Sequence, residues 1–276
     1  MKEQTNKAVQ KREPSELPSA LTEISNLLKD QKPAVFLDYD GCLTPIVKDP
    51  DTAILSKEMR DTLQRLAQVC AVAVVSGRDR ENVVKLVKLE ELYFAGSHGF
   101  DISGPRNLHI EPGGAKDALS ALDKAFKELK EKLQDVEGAL VERKKYAIAV
   151  HYRNVADNRV DKVKQVTAEV LSQHQGLKEG LGKKIIELKP NLDWHKGKAV
   201  LWLMDRLELN KPGIVPLYIG DDITDEDAFA TLQGHGIAIL VGEHDDLTAA
   251  TYSLKDVGEV QKLLEMLTQI IKQEHV

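Results

Sequence analysis

Two aspartates whose spacing suits catalysis stand near the start of the chain, at Asp38 and Asp40. They follow the apolar run 34–37, and a short apolar run that ends at a turn signal is typical of a buried strand. In open α/β sheets, ligands bind beyond the carboxyl ends of the strands. Two carboxylates at such a position repel each other and lose solvation, which indicates a metal cation or a catalytic use.

The same Asp-x-Asp-Gly pattern also occurs in calcium-binding loops and in ordinary turns. A helix-loop-helix calcium site has further ligands in register and a Glu at its twelfth position. Here the residue at that position is Asp49, the segment 42–46 is largely apolar, and the preceding run has the character of a strand. These features disfavour a calcium loop.

Three further groups of polar residues follow predicted strands or begin predicted helices. Ser76 comes after the apolar run 71–75, and Lys196 lies just before a predicted helix. The run 214–219 is followed by an acidic cluster, which consists of Asp221, Asp222 and Asp225. Taken singly, these groups would suit a common turn, a solvated basic turn and a helix N-terminus whose dipole favours acidic residues.

Taken together with Asp38 and Asp40, the same groups form one chemically coherent set. Carboxylates hold a hard cation such as Mg²⁺, which pairs with phosphate oxygens. A hydroxyl and an ammonium orient and neutralise a phosphoryl group. One aspartate remains to attack phosphorus and form an aspartyl-phosphate. The set therefore predicts metal-assisted phosphoryl transfer.

Composition is that of an ordinary globular chain. With 276 residues, 42% of them apolar and 30% charged, the chain is long enough for two domains. A net charge of −6 argues against a nucleic-acid partner, and Cys42 and Cys70 provide no disulfide framework. No apolar stretch reaches bilayer length and the first residues lack a signal-peptide core, so we expect no membrane association and a cytoplasmic location.

The predicted elements divide the chain into two patterns. Strands and helices alternate before about residue 103 and after about 193, which predicts a parallel sheet covered on both faces. Between them the alternation stops, which predicts an inserted α+β domain over 104–192, while 1–17 is expected to be a flexible arm. The predicted strands are 34–37, 71–75, 93–96, 139–150, 185–188, 214–219 and 237–241; the predicted helices are 21–28, 56–69, 81–87, 115–133, 155–174, 198–207, 225–232 and 257–271.

Four segments resemble the trehalose-6-phosphate phosphatases, a family of the haloacid-dehalogenase superfamily. They are 38–46 (DYDGCLTPI), 95–102 (AGSHGFDI), 150–153 (VHYR) and 220–229 (GDDITDEDAF). Cys42 departs from the pattern, which usually carries Thr there. The resemblance spans about 34–241. It implies a Rossmann-like parallel core (18–103 and 193–276) and an α+β cap. It also implies Mg²⁺-dependent hydrolysis of trehalose 6-phosphate through an aspartyl-phosphate and a functional link to a trehalose-6-phosphate synthase.

The resemblance also implies roles for the matching residues. Asp38 would be the nucleophile, and Asp40 the acid and base. Mg²⁺ would be held by Asp38, the main-chain carbonyl of Asp40 and Asp221, with Asp222 and Asp225 in support. The phosphoryl group would be bound by Ser76 and Lys196, assisted by Arg78. The candidates for sugar recognition are His98, Glu142, Lys144, His151, Arg153 and Glu187.

Several alternatives remain open at this point. A phosphatase for another glycosyl phosphate, such as glucosylglycerol phosphate or sucrose phosphate, would use the same core residues. So would a sugar phosphomutase of the superfamily. A phospho-receiver domain also combines Asp, an acidic pair, a hydroxyl and Lys, but it has neither a second Asp two residues beyond its acceptor nor an inserted domain. On the predicted strand 139–150, Glu142 and Lys144 would equally suit a solvent-facing pair.

Overall fold

The computed structural model describes residues 9–47, 52–111, 114–182, 184–244 and 246–273. The strands are β1 (Lys32–Leu37), β2 (Val72–Val75), β3 (Tyr93–Gly96), β4 (Asp101–Gly104), β5 (Leu108–Ile110), β6 (Leu140–Lys144), β7 (Ala147–His151), β8 (Leu177–Gly182), β9 (Ile185–Pro190), β10 (Ile214–Gly220), β11 (Ile237–Val241) and β12 (Tyr252–Leu254). The helices are α1 (Ala20–Leu27), α2 (Lys57–Ala67), α3 (Arg80–Val87), α4 (Leu119–Leu133), α5 (Asp157–Ser172), α6 (Lys196–Arg206), α7 (Glu226–Leu232) and α8 (Val257–Gln273).

The chain folds into two compact units. The first contains Met1–His109 and Trp194–Val276, and the second contains Ile110–Asp193. The insertion predicted from the sequence covers 104–192. No helix among the described residues is long and apolar enough to cross a membrane.

The first unit is built on a mainly parallel sheet with the strand order β12-β11-β10-β1-β2-β3-β4-β5. Neighbouring strands from β12 to β3 are parallel, and β4 runs antiparallel to β3. Side chains along each strand alternate between the two faces of the sheet, and both faces are apolar because helices cover both. Val35 and Leu37 pack with α1, α2, α3 and α8, whereas Ala34 and Phe36 pack with α6 and α7. The predicted fold class is confirmed.

The strand order brings three chain segments to one edge of this sheet. Strand β1 lies between β10 and β2, with Leu37 opposite both Ile219 and Val74. Parallel strands end at the same edge, so the residues that follow these strands lie side by side. This is where Asp38, Ser76 and Asp221 stand.

The second unit is a four-stranded antiparallel sheet covered by helices on one face. Its strand order is β6-β7-β9-β8. Ile148, Val150 and Leu188 face α4 and α5 and form an apolar core with them. Because side chains alternate along a strand, the opposite face carries the intervening residues, which are mostly polar or small.

The predicted strand 139–150 is wrong, because this segment is the hairpin of β6 and β7. The turn between them, at Lys145 and Tyr146, contains none of the glycine, proline or asparagine signals that mark turns in a sequence. The guanidinium of Arg143 instead donates to the main-chain carbonyls of Lys144, Lys145 and Ala147. A long-armed side chain therefore satisfies the backbone of the turn. Four strands were also missed: β4, β5, β8 and β12.

Part of the predicted arm 1–17 packs against the rest of the first unit. Residues 1–8 lie outside the described residues. Arg12 and Thr248 exchange two main-chain hydrogen bonds of 2.9 Å each, and Leu17 is buried in the core. Ser253 on β12 donates its main-chain N–H to the carbonyl of Pro18 at 3.0 Å. Residues 9–18 thus run beside the edge of the sheet at β12.

Candidate active site

Asp38 is the buried residue directly after β1. Its main-chain N–H donates to the Ile219 carbonyl at 2.9 Å, which extends the pairing of β1 with β10. Its Oδ1 accepts from the main-chain N–H of Tyr39 at 2.7 Å. The next turn closes where Gly41 donates to the Thr44 carbonyl at 2.8 Å. One carboxylate is therefore fixed at the strand end, and Asp40 follows on the turn.

Gly41 permits a close approach between this turn and Asp221. Its φ is +76°, and a Cβ built there would lie 2.0 Å from Asp221 Oδ2. Only glycine combines that backbone conformation with that space.

Cys42, which stands where the family pattern usually has Thr, is buried, and burial raises the pKa of its thiol well above the ordinary value. The thiol is therefore not activated.

Lys196 lies at the start of α6 and is buried. Its Nζ donates to Asp38 Oδ2 at 2.9 Å and to Asp225 Oδ1 at 2.7 Å. Burial opposes the charge of this ammonium, but the carboxylates of Asp225 and Asp38 outweigh burial and raise the pKa of Lys196. Lys196 is thus a permanent cation between two buried anions.

Asp225 is fully buried and accepts four hydrogen bonds. Its Oδ1 accepts from Lys196 and, at 2.6 Å, from the hydroxyl of Tyr218. Its Oδ2 accepts from the main-chain N–H groups of Asp221 and Asp222, each at 3.1 Å. The Asp222 carboxylate is exposed and caps the following turn by accepting from the Ile223 N–H at 2.7 Å.

Three of the predicted metal ligands come together. Asp38, Asp221 and Asp225 each offer an oxygen, and these oxygens lie within 4.8 Å of one another. Burial, followed by the charge of Asp38, raises the pKa of Asp221 to about 9; burial raises the pKa of Asp38 to about 7. Buried carboxylates crowded in this way are stabilised by a cation, and an all-oxygen donor set suits Mg²⁺. Within the described part of the chain, this cluster does not include the carboxylates of Asp40 and Asp222.

In the Ser-Gly-Arg turn, Ser76 and Arg78 have different partners. Ser76 is buried at the end of β2, and its Oγ accepts from the Arg78 N–H at 3.1 Å. The Arg78 guanidinium binds both oxygens of Asp40, at 2.6 and 2.7 Å, and donates to Asn82 at 3.1 Å. It also lies 5.4 Å from the ring centre of Tyr39. The structure therefore joins Arg78, predicted as a phosphate ligand, to Asp40.

His98, a predicted sugar ligand, lies beside this turn in the first unit. Its main-chain N–H donates to the Ser76 carbonyl at 2.9 Å, and its own φ is +57°. The imidazole is close enough to Gly77 that a Cβ there would come within 2.8 Å of His98 Cε1. His98 is thus placed next to the Ser76 turn of the first unit, whereas the other sugar candidates belong to the second unit.

The other sugar candidates belong to the second unit and form ion pairs on the face opposite its helices. His151 Nε2 lies 2.8 Å from a Glu142 oxygen, and Lys144 Nζ lies 2.8 Å from a Glu187 oxygen. The latter pair passes over β7, where the small side chain of Ala149 leaves room between Glu142 and Glu187. Arg153 is exposed in the turn after β7. Glu142 and Lys144 therefore each pair with a residue of another strand.

Two residues of this region were missed by sequence reasoning. Tyr218 lies in β10, which the sequence predicts as a strand over 214–219, and a buried tyrosine hydroxyl needs a hydrogen-bond partner. Asn82 lies in the first turn of α3, where asparagine is common for local reasons. The sequence could have indicated Tyr218, because a tyrosine hydroxyl within a buried strand must find a hydrogen-bond partner. Nothing comparable in the sequence marks Asn82.

Comparison with solved structures defines the class of the fold. The chain resembles a haloacid dehalogenase-like hydrolase from Bacteroides thetaiotaomicron, with a TM-score of 0.60 and 16% identity over 86% of this chain and 99% of that chain. It also resembles the C-terminal domain of C. albicans trehalose-6-phosphate phosphatase, with a TM-score of 0.74 and 24% identity over 92% and 98% of the two chains. The chain thus has the fold seen in haloacid-dehalogenase-like hydrolases.

Comparison of sequences is more specific. A family model for trehalose-phosphatases matches residues 36–258. A trehalose 6-phosphate phosphatase of Zea mays is 41% identical over 268 residues, which cover 91% of this chain and 74% of that protein. A trehalose-phosphate phosphatase of Mycobacterium tuberculosis is 40% identical over 265 residues, which cover 94% and 68%. The chain belongs to the trehalose-phosphatase family and is a phosphomonoester hydrolase, as the motifs predicted.

The close approach at Gly41 generates a first testable prediction. In Gly41→Ala the new methyl group would displace Asp221, and a displacement of about 1 Å can cost about 10²-fold in rate. Gly213→Ala is the matched control, because Gly213 has a φ of +82° but nothing within 4 Å of a new Cβ. Both variants should lose about 1–2 kcal/mol of stability from backbone strain, measured by urea unfolding. Only Gly41→Ala should lose phosphatase activity; equal turnover by the two variants would contradict the argument.

Proposed function

We propose that this enzyme hydrolyses trehalose 6-phosphate to trehalose and inorganic phosphate, the last step of trehalose biosynthesis. The observation that carries the proposal is the buried Asp38 carboxylate, held by Lys196 at 2.9 Å beside a cluster of carboxylates suited to a divalent cation. The choice of trehalose 6-phosphate as the substrate rests on the relatives in Zea mays and Mycobacterium tuberculosis, whose names refer to trehalose phosphate.

Asp38 is the proposed nucleophile. One of its oxygens attacks phosphorus, the bond from phosphorus to the sugar oxygen breaks, and the phosphoryl group is carried as an aspartyl-phosphate. Lys196 neutralises the charge that builds on the phosphoryl oxygens. Ser76 Oγ accepts from the Arg78 N–H, so its hydroxyl hydrogen can be donated to a phosphoryl oxygen. Mg²⁺ bound by Asp38, Asp221 and the Asp40 carbonyl, with Asp222 and Asp225 in support, would reduce the repulsion between the two anions.

Asp40 is the proposed acid and base. It gives a proton to the departing sugar oxygen and then removes one from the water that hydrolyses the aspartyl-phosphate. Both of its oxygens accept hydrogen bonds from Arg78. Because the guanidinium occupies both oxygens, the pair has to open before Asp40 can hold the proton that it gives to the sugar oxygen, so Arg78 governs when Asp40 acts. Arg78 is also proposed to assist in binding the phosphoryl group, as the sequence predicted.

The polar face of the second unit is the proposed sugar-recognition surface. Its paired charges, Lys144 with Glu187 and His151 with Glu142, provide donors and acceptors for hydroxyl groups. Arg153 follows on the turn after β7, and His98 is the corresponding candidate in the first unit. Charged groups that bind sugar hydroxyls reject substrates that lack them, because the polar groups would be left unpaired.

The proposed substrate and metal are tested together by a phosphate-release assay. We expect trehalose 6-phosphate to be hydrolysed faster than sucrose phosphate or glucosylglycerol phosphate. Excess chelator should stop the release, and added Mg²⁺ should restore it, because the carboxylate cluster would be left without its cation. Faster phosphate release from another sugar phosphate would make that compound the preferred substrate. Full activity in excess chelator would contradict the proposed requirement for Mg²⁺.

The two aspartates are separated by a rapid-mixing experiment with p-nitrophenyl phosphate. Its leaving group needs no proton, so Asp40→Asn should still form the aspartyl-phosphate but hydrolyse it slowly, since acid–base help is worth about 10²–10⁴-fold. We expect a burst of p-nitrophenol equivalent to the enzyme present, followed by slow turnover. Asp38→Asn should show neither burst nor turnover. A burst from Asp38→Asn would mean that another group attacks phosphorus.

Glu187→Ala tests the recognition surface. The variant should lose about 10–100-fold in kcat/KM for trehalose 6-phosphate, the range for a hydrogen bond to a charged group. Turnover of p-nitrophenyl phosphate, which has no sugar, should stay near that of the wild type. The control is Glu179→Ala, a glutamate of the same sheet that pairs with Leu188 and so lies on the other face. Equal losses on both substrates would show that Glu187 supports the fold.

A further inference from the structure

Tyr218 places one buried hydroxyl at the centre of the charged network. Along β10, side chains alternate between the two faces of the sheet, and Tyr218 belongs to the face covered by α6 and α7. Its ring packs edge to face against Phe229, with 5.9 Å between ring centres. The hydroxyl reaches Asp225 Oδ1 at 2.6 Å, near the start of α7.

The hydroxyl shares its acceptor with the ammonium of Lys196. Both donate to Asp225 Oδ1, whereas Oδ2 accepts from two main-chain N–H groups. Asp225 therefore anchors both Lys196 and the turn at Asp221 and Asp222.

Lys196 stands between two competing carboxylates. Its Nζ lies 2.7 Å from Asp225 and 2.9 Å from Asp38. Without the hydroxyl of Tyr218, Asp225 Oδ1 would be left short of a donor in a buried site, where an unsatisfied acceptor is costly. The nearest remaining donor is Lys196, which would be drawn toward Asp225 and away from Asp38.

We propose that Tyr218 is a positioning residue for phosphoryl transfer, which keeps the Lys196 ammonium shared between Asp225 and Asp38. The inference rests on the proposed roles of Asp38 and Lys196. Tyr218 acts through Asp225 and touches neither the substrate nor the reacting atoms. Its effect should fall on the step in which charge builds on the phosphoryl oxygens, because that is where the position of Lys196 matters most.

The test is Tyr218→Phe, which removes one oxygen and keeps the ring. The control is Phe229→Leu, which disturbs the packing of the same ring and leaves the hydroxyl bond in place. For wild type and both variants, kcat and KM for trehalose 6-phosphate and the melting temperature are measured. Calorimetry in Mg²⁺ gives the affinities for orthovanadate, which mimics phosphorus in transit, and for inorganic phosphate, a ground-state anion.

For Tyr218→Phe we expect kcat to fall about 10–100-fold, as for loss of a hydrogen bond to a charged group. KM and the affinity for phosphate should change little, while the affinity for vanadate should fall in parallel with kcat/KM, because only interactions stronger in the transition state accelerate the reaction. Phe229→Leu should lower the melting temperature and keep both kcat and the affinity for vanadate.

Three outcomes would overturn the inference. The first is a Tyr218→Phe enzyme with wild-type kcat and vanadate affinity. The second is an equal loss of vanadate and phosphate affinity, which would indicate a general disturbance of the site. The third is an equal loss of kcat in Phe229→Leu, which would assign the effect to packing. A wild-type enzyme that releases no phosphate would overturn the proposed function and this inference with it, whereas the three outcomes above, with an active wild type, overturn the inference alone.

Discussion

The structure of the first unit depends on the placement of one buried cation, Lys196, between the carboxylates of Asp38 and Asp225. The two partners are 158 and 29 residues away along the chain, so the contact exists only in the folded protein. Burying charges costs several kcal/mol per ion, and the cost is offset only where the geometry and the additional hydrogen bonds are good. Asp225 meets that condition with four donors. With Asp221 added, the cluster holds more negative than positive charge, which is why a divalent cation suits it.

The strand order of the parallel sheet brings the residues of this site together. Because β1 lies between β10 and β2, the segments that follow three parallel strands meet at one edge. Helices on both faces bury the strands and leave that edge as the place where polar groups converge. Local devices then set the fine positions: glycine at 41 lets Asp221 approach the first turn, and the main-chain N–H groups of Asp221 and Asp222 bind the carboxylate that anchors Lys196.

The sheet of the second unit has one apolar face and one charged face. One face of its antiparallel sheet is apolar and packs with two helices, while the other carries charged residues above small ones. Its ion pairs, Lys144 with Glu187 and Glu142 with His151, join different strands. Such pairs keep charges in place on a polar face without an apolar core around them. This arrangement fits the proposed division, in which the first unit performs the chemistry and the second selects the sugar.

The sequence by itself determined most of the elements and the residues at their ends. The alternation of apolar runs with helical patterns located every parallel strand of the core except the short β12, and Asp38, Ser76 and Asp221 were found because they follow such runs. Local patterns suffice there, since burial and turn chemistry depend on near neighbours. The tertiary structure alone decided which side chains meet. It joined Arg78 to Asp40, Tyr218 to Asp225 and Lys144 to Glu187, and it closed the hairpin after Lys144 with Arg143. These contacts depend on the reach of long side chains between separate elements, a distance that no spacing along the chain encodes.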